Sequence, residues 1–265
     1  MKSSPPTPAL EAAANRHEPA PRCALQQRLN RLYDDNAPRY DTDRAVSAQI
    51  RFYFDLSYRT ISRMLGHTTP SSLHVDMPVG TGRFLLYLRD HGWCHRMLGL
   101  DLSPGMLGQA RQHARDRRAA VHLSMGDAFR LPLAGDSVDV LTSLRLFHLF
   151  PHAYWPSLIT EMHRVVRPGG FLITELRNVL RGTACTLMVR SFRNRRRTHP
   201  HYFVAPHKVA ALFRAWRRVE MRGIGMDGLE KTHRVAPLLG RGIERLETVK
   251  PFCFLSKTLL VKAYK

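Results

Sequence analysis

The sequence predicts an α/β fold in which a seven-stranded, mostly parallel sheet carries helices on both faces and follows a helical N-terminal cap. Two observations support this prediction. Short apolar runs alternate along the chain with stretches of helical periodicity, which is the βαβ rhythm of a parallel sheet. In addition, the apolar run at residues 73–75 enters a small-residue turn at residues 78–82 and continues as an apolar helix. Such a turn is typical of a strand end where a ligand approaches the backbone.

The predicted sheet has five parallel strands and two closing strands, and four helices connect them. The parallel strands are residues 72–77, 96–101, 121–125, 138–144 and 171–176, and the closing strands are residues 218–224 and 257–262. The helices are residues 82–91, 104–117, 155–166 and 207–216. Continuous apolar runs such as Leu259, Leu260 and Val261 suit strands that are buried on both faces.

A single domain is predicted for residues 25–265, because a chain of 265 residues can bury a full core. Residues 1–24 are rich in Pro and Ala, have no sustained period and are predicted to form a mobile tail. Apolar positions at helical spacing predict that residues 25–70 form a cap of two or three short helices. Residues 177–206 interrupt the alternation of strands and helices and are interpreted as a basic insertion.

The composition disfavours several classes of protein. No run approaches the roughly 20 apolar residues that a membrane-spanning helix needs. The start of the chain lacks the apolar centre of a secretory signal, so a soluble, cytoplasmic protein is expected. The four cysteines are scattered without the paired spacing of a zinc site or a disulfide framework. Reduced thiols are therefore expected, and no metal site.

The chain is strongly basic, with 41 Lys and Arg against 21 Asp and Glu and a formal net charge of +20. The excess is concentrated in residues 177–222, where twelve basic residues accompany one acid, Glu220. This stretch is either a solvated loop or a contact for phosphate or for an anionic membrane surface. Nucleic acid is a less favoured partner, because the basic string at residues 193–197 lacks the interleaved aromatic side chains of a base-stacking surface.

Two features at predicted strand ends indicate a ligand that carries a nucleoside. Gly80 and Gly82 have no Cβ atoms, so a ligand can approach the amides of their turn closely. Asp101 ends the second predicted strand 19 residues after Gly82, an interval that suits a carboxylate accepting hydrogen bonds from ribose hydroxyls. Alternatively, Asp101 only caps the next helix, although Ser103 and Pro104 already supply cap and first-turn residues.

The turn resembles the first motif of class I S-adenosylmethionine-dependent methyltransferases of the small-molecule type. In that motif an acidic residue is followed by three glycines at alternate positions. Asp76, Gly80 and Gly82 match the motif, whereas Pro78 replaces its first glycine. Ordered matches extend from about residue 33 to residue 176. The resemblance implies a Rossmann-like sheet and S-adenosylmethionine as the cofactor.

The same resemblance assigns further residues to the cofactor. Asp127, after the third predicted strand, would contact the adenine amino group, and the amide of Ala128 would contact an adenine ring nitrogen. Met106 would pack on the ring face, unless it is simply a core methionine. Leu144 belongs to the run that matches the family's fourth-strand motif and is grouped with the cofactor-binding residues.

Five residues are candidates for the acceptor side of the site. Tyr33 and Tyr40 lie in a segment similar to one that many small-molecule methyltransferases fold over the cofactor, but half-buried helix tyrosines are an equal alternative. His148 is either a general base or a structural histidine that holds a loop. Arg145 and Arg177 would clamp an anionic acceptor, unless they pair with surface acids.

The resemblance implies methyl transfer to a small-molecule or lipid-like acceptor. Two alternatives stay open. One is an RNA methyltransferase whose basic stretch follows the phosphates of its substrate. No Asn-Pro-Pro-Tyr-like segment follows the fourth strand, and this absence disfavours an enzyme that methylates amino groups of nucleic acids. The other is a protein that binds the cofactor without catalysis, because Pro78 and Val79 stiffen the turn and remove an amide donor. The sequence does not indicate an oligomeric state.

Overall fold

The computed structural model of the protein describes residues 21–66, 68–93, 95–180, 201–226, 229–249 and 252–265. Seven strands form one sheet: β1 (Leu73–Asp76), β2 (Arg96–Asp101), β3 (His122–Met125), β4 (Val138–Ser143), β5 (Val166–Arg177), β6 (Arg218–Ile224) and β7 (Thr258–Tyr264). Nine α-helices accompany them within the described ranges: α1 (Arg22–Asn36), α2 (Tyr40–Ala45), α3 (Ala48–Leu65), α4 (Arg83–Asp90), α5 (Pro104–Asp116), α6 (Trp155–Val165), α7 (Pro206–Leu212), α8 (Leu229–Val235) and α9 (Pro237–Glu247).

The strand order is β3-β2-β1-β4-β5-β7-β6, and β7 runs antiparallel to both of its neighbours. The prediction of a seven-stranded, mostly parallel sheet is therefore confirmed. The chain winds outward from β1 to β3 and then returns to place β4 on the other side of β1. Ligands of open α/β sheets bind beyond the carboxyl ends of the strands at such a switch point. We therefore expect a ligand site at the carboxyl ends of β1, β2 and β4.

The predicted helical cap is present as α1, α2 and α3, but its start was placed too late. The mobile tail was predicted to end at residue 24, whereas α1 begins at Arg22, directly after Pro21. A proline at this point is compatible with a helix start, because its fixed φ and missing N–H cost nothing there. Residues 1–20 lie outside the described residues, and so does the basic string at residues 193–197.

Strand β5 begins at Val166 rather than at residue 171, so the predicted turn at residues 167–170 is part of the strand. Its pairing with β4 shifts register between Val138 and Val140. A Cβ atom on Gly170 would lie 2.7 Å from the carbonyl oxygen of Asp139. Glycine therefore permits a close backbone approach that continues the strand through a sequence with turn-like composition.

The central strands are buried on both faces, which explains their continuous apolar runs. Leu172 and Ile173 are neighbours on β5, are both fully buried and belong to cores on opposite faces. One core includes Trp155 of α6, and the other includes Ile61 of α3 and Phe84 of α4. None of the helices in the described part of the chain combines the length and the apolar character needed to cross a bilayer.

Candidate functional site

A cavity lies at the carboxyl ends of β1, β2 and β4, beneath the N-terminal helices. It encloses about 890 Å³ between protein atoms, with the solvent at its open mouth included. The structure brings ten of the predicted site residues to its walls: Tyr33, Tyr40, Pro78, Gly80, Asp101, Met106, Asp127, Ala128, Leu144 and Arg145. Asp76, Gly82, His148 and Arg177 are not among the residues that line it. The sequence therefore located the cavity, although not each residue's place in it.

The glycine turn between β1 and α4 is held by the end of β2. The amide of Gly80 donates a 2.8 Å hydrogen bond to Oδ2 of Asp101, and the amide of Val79 donates one of 2.8 Å to the carbonyl of Leu100. Gly80 and Gly82 have φ values of +57° and +80°, which residues with a Cβ atom rarely adopt. Gly82 precedes α4, and an added Cβ would meet the Cβ of Ala110 at 3.3 Å. Gly82 thus shapes the turn from outside the cavity wall.

Asp101 is held by two backbone amides at the edge of the cavity, and its role toward a ribose stays a prediction. Its Oδ1 accepts a 2.9 Å hydrogen bond from the amide of Ser103, and its Oδ2 accepts the bond from Gly80. Burial raises the pKa of the Asp101 carboxyl, and these amide hydrogen bonds oppose that shift. The carboxylate therefore braces the turn and also faces the cavity. Each carboxylate oxygen can accept more than one hydrogen bond, so capacity for ribose hydroxyls remains.

Asp127 is positioned by a partner that the sequence analysis missed. Its Oδ1 accepts a 2.8 Å hydrogen bond from Nε2 of Gln26 on α1 and a 2.9 Å bond from the amide of Phe129. Neither bond uses Oδ2. Ala128 and Met106 line the cavity close to the core and are almost fully buried. All three residues thus line the cavity, and their contacts with an adenine ring stay a prediction.

Helices α1 and α2 cover the cavity and are tied to its floor. Oδ1 of Asp34 accepts hydrogen bonds from Oγ of Ser103 at 2.5 Å and from the amide of Gly105 at 2.9 Å. The rings of Tyr33 and Tyr40 lie 6.2 Å apart on the covering side, and both line the cavity. Burial raises the pKa of Tyr33. The contacts favour the interpretation of these tyrosines as part of a cover over the site.

Asn30 is a second residue of α1 that the sequence analysis missed. It lines the cavity, and its Oδ1 is buried without a hydrogen-bond partner among the described residues. A buried acceptor without a partner costs free energy unless a ligand or water satisfies it. The atom is therefore a suitable contact for a polar group of a bound cofactor.

Asp76 lies beneath the cavity at the end of β1 and is only 2% exposed. Its Oδ1 accepts a 2.5 Å hydrogen bond from Oγ1 of Thr142. Burial raises the pKa of the Asp76 carboxyl to about 7, and the Thr142 hydrogen bond opposes this shift. Asp76 therefore lies outside the cavity wall, and its part in cofactor binding stays a prediction.

A chain of hydrogen bonds extends from Asp76 through the sheet. Nε2 of His74 lies 3.0 Å from Oγ1 of Thr142, Nδ1 of His74 lies 3.0 Å from Nε2 of His95, and Nδ1 of His95 lies 3.1 Å from Oγ1 of Thr68. Burial lowers the pKa of His74 to about 3 and that of His95 to about 4, so both rings are neutral at pH 7. When Thr142 donates to Asp76, every donor in the chain points toward that carboxylate.

Arg145 is one of two arginines that line the cavity, and the other, Arg83, lies 3.6 Å from the Asp41 carboxylate. It has a φ of +60°, which is unusual for a residue other than glycine. Its guanidinium carbon lies 4.8 Å from the ring centre of Phe54, and Nη2 lies 3.4 Å from the hydroxyl oxygen of Tyr58. Nη1 is buried and makes no hydrogen bond to the described residues. Arg145 therefore retains donor capacity for a ligand.

His148 and Arg177 lie apart from the cavity lining. His148 is buried in a short 3₁₀ helix (Phe147–Leu149), with its ring 4.7 Å from that of His201, and its carbonyl accepts a hydrogen bond from the amide of Tyr202. This placement favours the structural role, and the base role stays a prediction. Arg177 ends β5, where its carbonyl accepts a bond from Val204. Within the described ranges, no group of three or more His, Cys, Asp or Glu could hold a metal ion.

Comparisons with known proteins agree with this geometry. Residues 75–170 match a family described as a methyltransferase domain. The chain is also 32% identical over 150 residues to the demethylmenaquinone methyltransferase of Deinococcus radiodurans. That alignment covers 56% of this chain and 59% of the relative, so the chain spans less than two thirds of the relative's length.

Solved structures share the fold. A methyltransferase of Thermotoga maritima, described as a possible histamine N-methyltransferase, has a TM-score of 0.59 at 16% identity, covering 89% of this chain and 99% of that one. Phosphoethanolamine N-methyltransferase 2 of Haemonchus contortus, solved with S-adenosylmethionine, has a TM-score of 0.56 at 17% identity, covering 79% of this chain and 52% of that one. The chain therefore shares the fold of these S-adenosylmethionine-dependent methyltransferases.

Proposed function

We propose that this protein transfers a methyl group from S-adenosylmethionine to a small-molecule or lipid-like acceptor that carries a negative charge. The observation that carries the proposal is the cavity that Gly80, Asp101 and Asp127 line together with Arg145. The first three residues suit a nucleoside, and the arginine suits an anion. A site that only stored the cofactor would not need the donor capacity that Arg145 retains.

The cofactor half of the proposal follows from the chain's own residues. Asp101 would hold the ribose, the Asp127 carboxylate and Ala128 amide would hold the adenine, and Met106 would pack against the ring. The acceptor on Asn30 without a protein partner and the unused Oδ2 of Asp127 fit a polar ligand. S-Adenosylmethionine supplies a sulfonium-bound methyl group whose leaving group is a neutral thioether. The protein's main task is then to position an acceptor in line with that methyl group.

The acceptor half rests on Arg145 and its apolar surroundings. Leu146, Leu149 and Phe150 line the same cavity, so an acceptor near Arg145 would meet apolar side chains beside its guanidinium. An amphipathic molecule with an anionic group has this distribution of properties. The relative from Deinococcus radiodurans, named for a quinone substrate, supports a lipid-like acceptor.

Transfer of labelled methyl groups tests the proposal. The purified protein is incubated with S-adenosylmethionine labelled in the methyl group and with fractions of a cell extract separated by charge and hydrophobicity. We expect label in an organic-extractable, acidic fraction, and we expect Arg145→Ala to reduce that transfer. Arg111→Gln, on the exposed face of α5, is the matched control. Binding of the cofactor without transfer to any fraction would favour the non-catalytic alternative, and label only in RNA would favour the nucleic-acid alternative.

A further inference from the structure

The segment between β6 and β7 exposes an unusual concentration of apolar side chains. Twelve large hydrophobic residues are exposed in the described part of the chain, and seven of them lie between residues 235 and 255. They are Val235, Leu238, Leu239, Leu246, Val249, Phe252 and Leu255, which together we call the α8–α9 surface. Val235 and Leu238 are 84% and 79% exposed, so they make almost no contact within the chain. Large exposed apolar patches mark surfaces that contact a partner or a membrane.

Helix α9 separates this apolar surface from a basic one. At about 3.6 residues per turn, Leu238, Leu239 and Leu246 lie together on its outer side, and Arg241 and Arg245 lie beside them. Gly240 faces inward, where an added Cβ would lie 2.6 Å from the ring of His233. The helix is therefore anchored along one side and presents leucines and arginines outward. This distribution is the one expected of a helix that lies in the plane of a membrane interface.

The arginines of α9 continue into a cleft between α3, β6 and α9, which encloses about 800 Å³ with its open mouth included. Five arginines line it: Arg59, Arg63, Arg222, Arg241 and Arg245. Arg59 pairs with Asp55 at 2.9 Å and with Glu244 at 3.4 Å. The other four form no ion pair with the residues that the structure describes. Glu244, the one acid of the cleft, also contacts His233 at 2.9 Å. The cleft therefore carries a net positive charge beside the apolar surface.

The α8–α9 surface is connected to the cavity of the candidate site by one helix. In α3, Phe52 packs its ring 5.2 Å from that of His233, while Phe54 and Tyr58 contact Arg145 of the cavity wall. Asn178, next to the end of β5, donates hydrogen bonds to the carbonyls of Phe254 and Ser256. The part of the α8–α9 surface around Leu255 therefore lies near the carboxyl end of β5, at the same edge of the sheet as the cavity.

We propose that the α8–α9 surface and its arginine cleft dock this protein on the surface of an anionic lipid bilayer. The exposed leucines would enter the acyl boundary, and the unpaired arginines would bind lipid phosphates. A second copy of the chain is a poorer occupant, because a two-fold contact would bring the same arginines of both copies together. A soluble phosphate would leave the apolar side chains unexplained. Docking does not depend on methyl transfer, so it can be tested separately from the proposed function.

Vesicle sedimentation of the full chain tests the proposal. We expect the protein to pellet with vesicles of phosphatidylglycerol and phosphatidylcholine in equal amounts, and not with phosphatidylcholine alone. Leu238→Asn with Leu246→Asn should lower the partition coefficient by about tenfold or more, because two leucines lose their burial. Arg241→Gln with Arg245→Gln should lower it by about 25-fold at low salt, or about fivefold per charge, and by less at high salt.

Matched controls distinguish binding through the α8–α9 surface from non-specific binding to vesicles. Met125→Asn replaces an exposed apolar side chain on β3, and Arg111→Gln with Arg115→Gln removes two exposed charges from α5. Both controls should pellet within about twofold of the parent protein. The proposal is overturned if the parent does not pellet with anionic vesicles, or if the leucine pair pellets as well as the parent.

Two further outcomes would assign the features to other partners. If ultracentrifugation shows a dimer that the leucine substitutions dissociate, and vesicles do not bind, the α8–α9 surface is a contact between copies. If only neutralising the arginines at residues 193, 195, 196 and 197 abolishes vesicle binding, the basic segment rather than this surface is the membrane contact. Either result contradicts the proposal.

Discussion

Replacing Asp76 by Asn tests the electrostatic account of the site most quantitatively. The Asp76 carboxyl is buried, and its pKa rises to about 7 from an ordinary value of 3.8. Asn keeps an oxygen for the Thr142 hydrogen bond but has no charge to bury. A carboxyl whose pKa is raised in the folded state binds protons more tightly than in the unfolded state, so its contribution to stability falls as pH rises from about 4 to about 7. The Asn variant should therefore gain stability over the parent protein as pH increases.

The size of that gain follows from the same pKa. Each unit corresponds to about 1.4 kcal/mol, so the full penalty above pH 7 is about 4 kcal/mol. At pH 5.5 the unfolded carboxyl is already ionised and the folded one is largely protonated, so about half of the penalty is present. The free energy of unfolding of Asp76→Asn relative to the parent should consequently grow by about 2 kcal/mol between pH 5.5 and pH 8.5.

Urea denaturation at the two pH values measures this difference, because both proteins experience the same titration of every other group. Asp116→Asn, on the exposed face of α5, is the control and should show no such growth. The electrostatic reasoning is refuted if the difference between Asp76→Asn and the parent is the same at both pH values. A parent protein that becomes relatively more stable at high pH would have the opposite sign and would also refute it.

Three other predictions follow from the site. Asp101→Ala should weaken binding of S-adenosylhomocysteine by about 1.5 to 3 kcal/mol, because a charged acceptor is lost and the Gly80 amide loses its partner. An unchanged dissociation constant in calorimetry would exclude Asp101 from the cofactor site. His74 and His95 have lowered pKa values, so the unfolded state binds more protons below pH 6.5, and the free energy of unfolding should fall as pH drops from 6.5 toward 4. Thermal unfolding of His95→Gln should therefore show a weaker acid dependence than that of the parent protein. An equal dependence would contradict the buried neutral pair. Arg145→Lys should raise KM for an anionic acceptor at least severalfold while leaving cofactor affinity unchanged, since an ammonium cannot reproduce the guanidinium's donors; equal acceptor kinetics would exclude Arg145 from acceptor binding.

The parts of the site that the sequence predicted are those that a strand and its following turn determine locally. Gly80, Asp101 and Asp127 each follow a predicted strand, and parallel strands bring their carboxyl ends to one edge. The central strands were predictable because apolar runs such as residues 138–143 and 171–176 suit burial on both faces. His148 follows a strand in the same way, yet the chain turns it into the core beside His201. A position in sequence does not determine which way such a side chain faces.

The parts that the sequence did not predict depend on contacts between distant segments. Gln26 binds Asp127 across 101 positions, and Asp34 binds Gly105 across 71. Both look like ordinary solvent-facing residues of a polar helix until the cap folds over the sheet. The chain from Asp76 to His95 likewise joins two strands and is invisible to periodicity. Helices α8 and α9 were missed because their outward leucines do not follow the pattern of a buried face.

Calorimetric titration of the folded protein with S-adenosylhomocysteine tests the central claim most directly. The account predicts binding at one site per chain, with weaker binding in both Asp101→Ala and Asp127→Asn and unchanged binding in Asp116→Asn. Absence of binding of both S-adenosylhomocysteine and S-adenosylmethionine to a protein whose fold is verified by circular dichroism would contradict it.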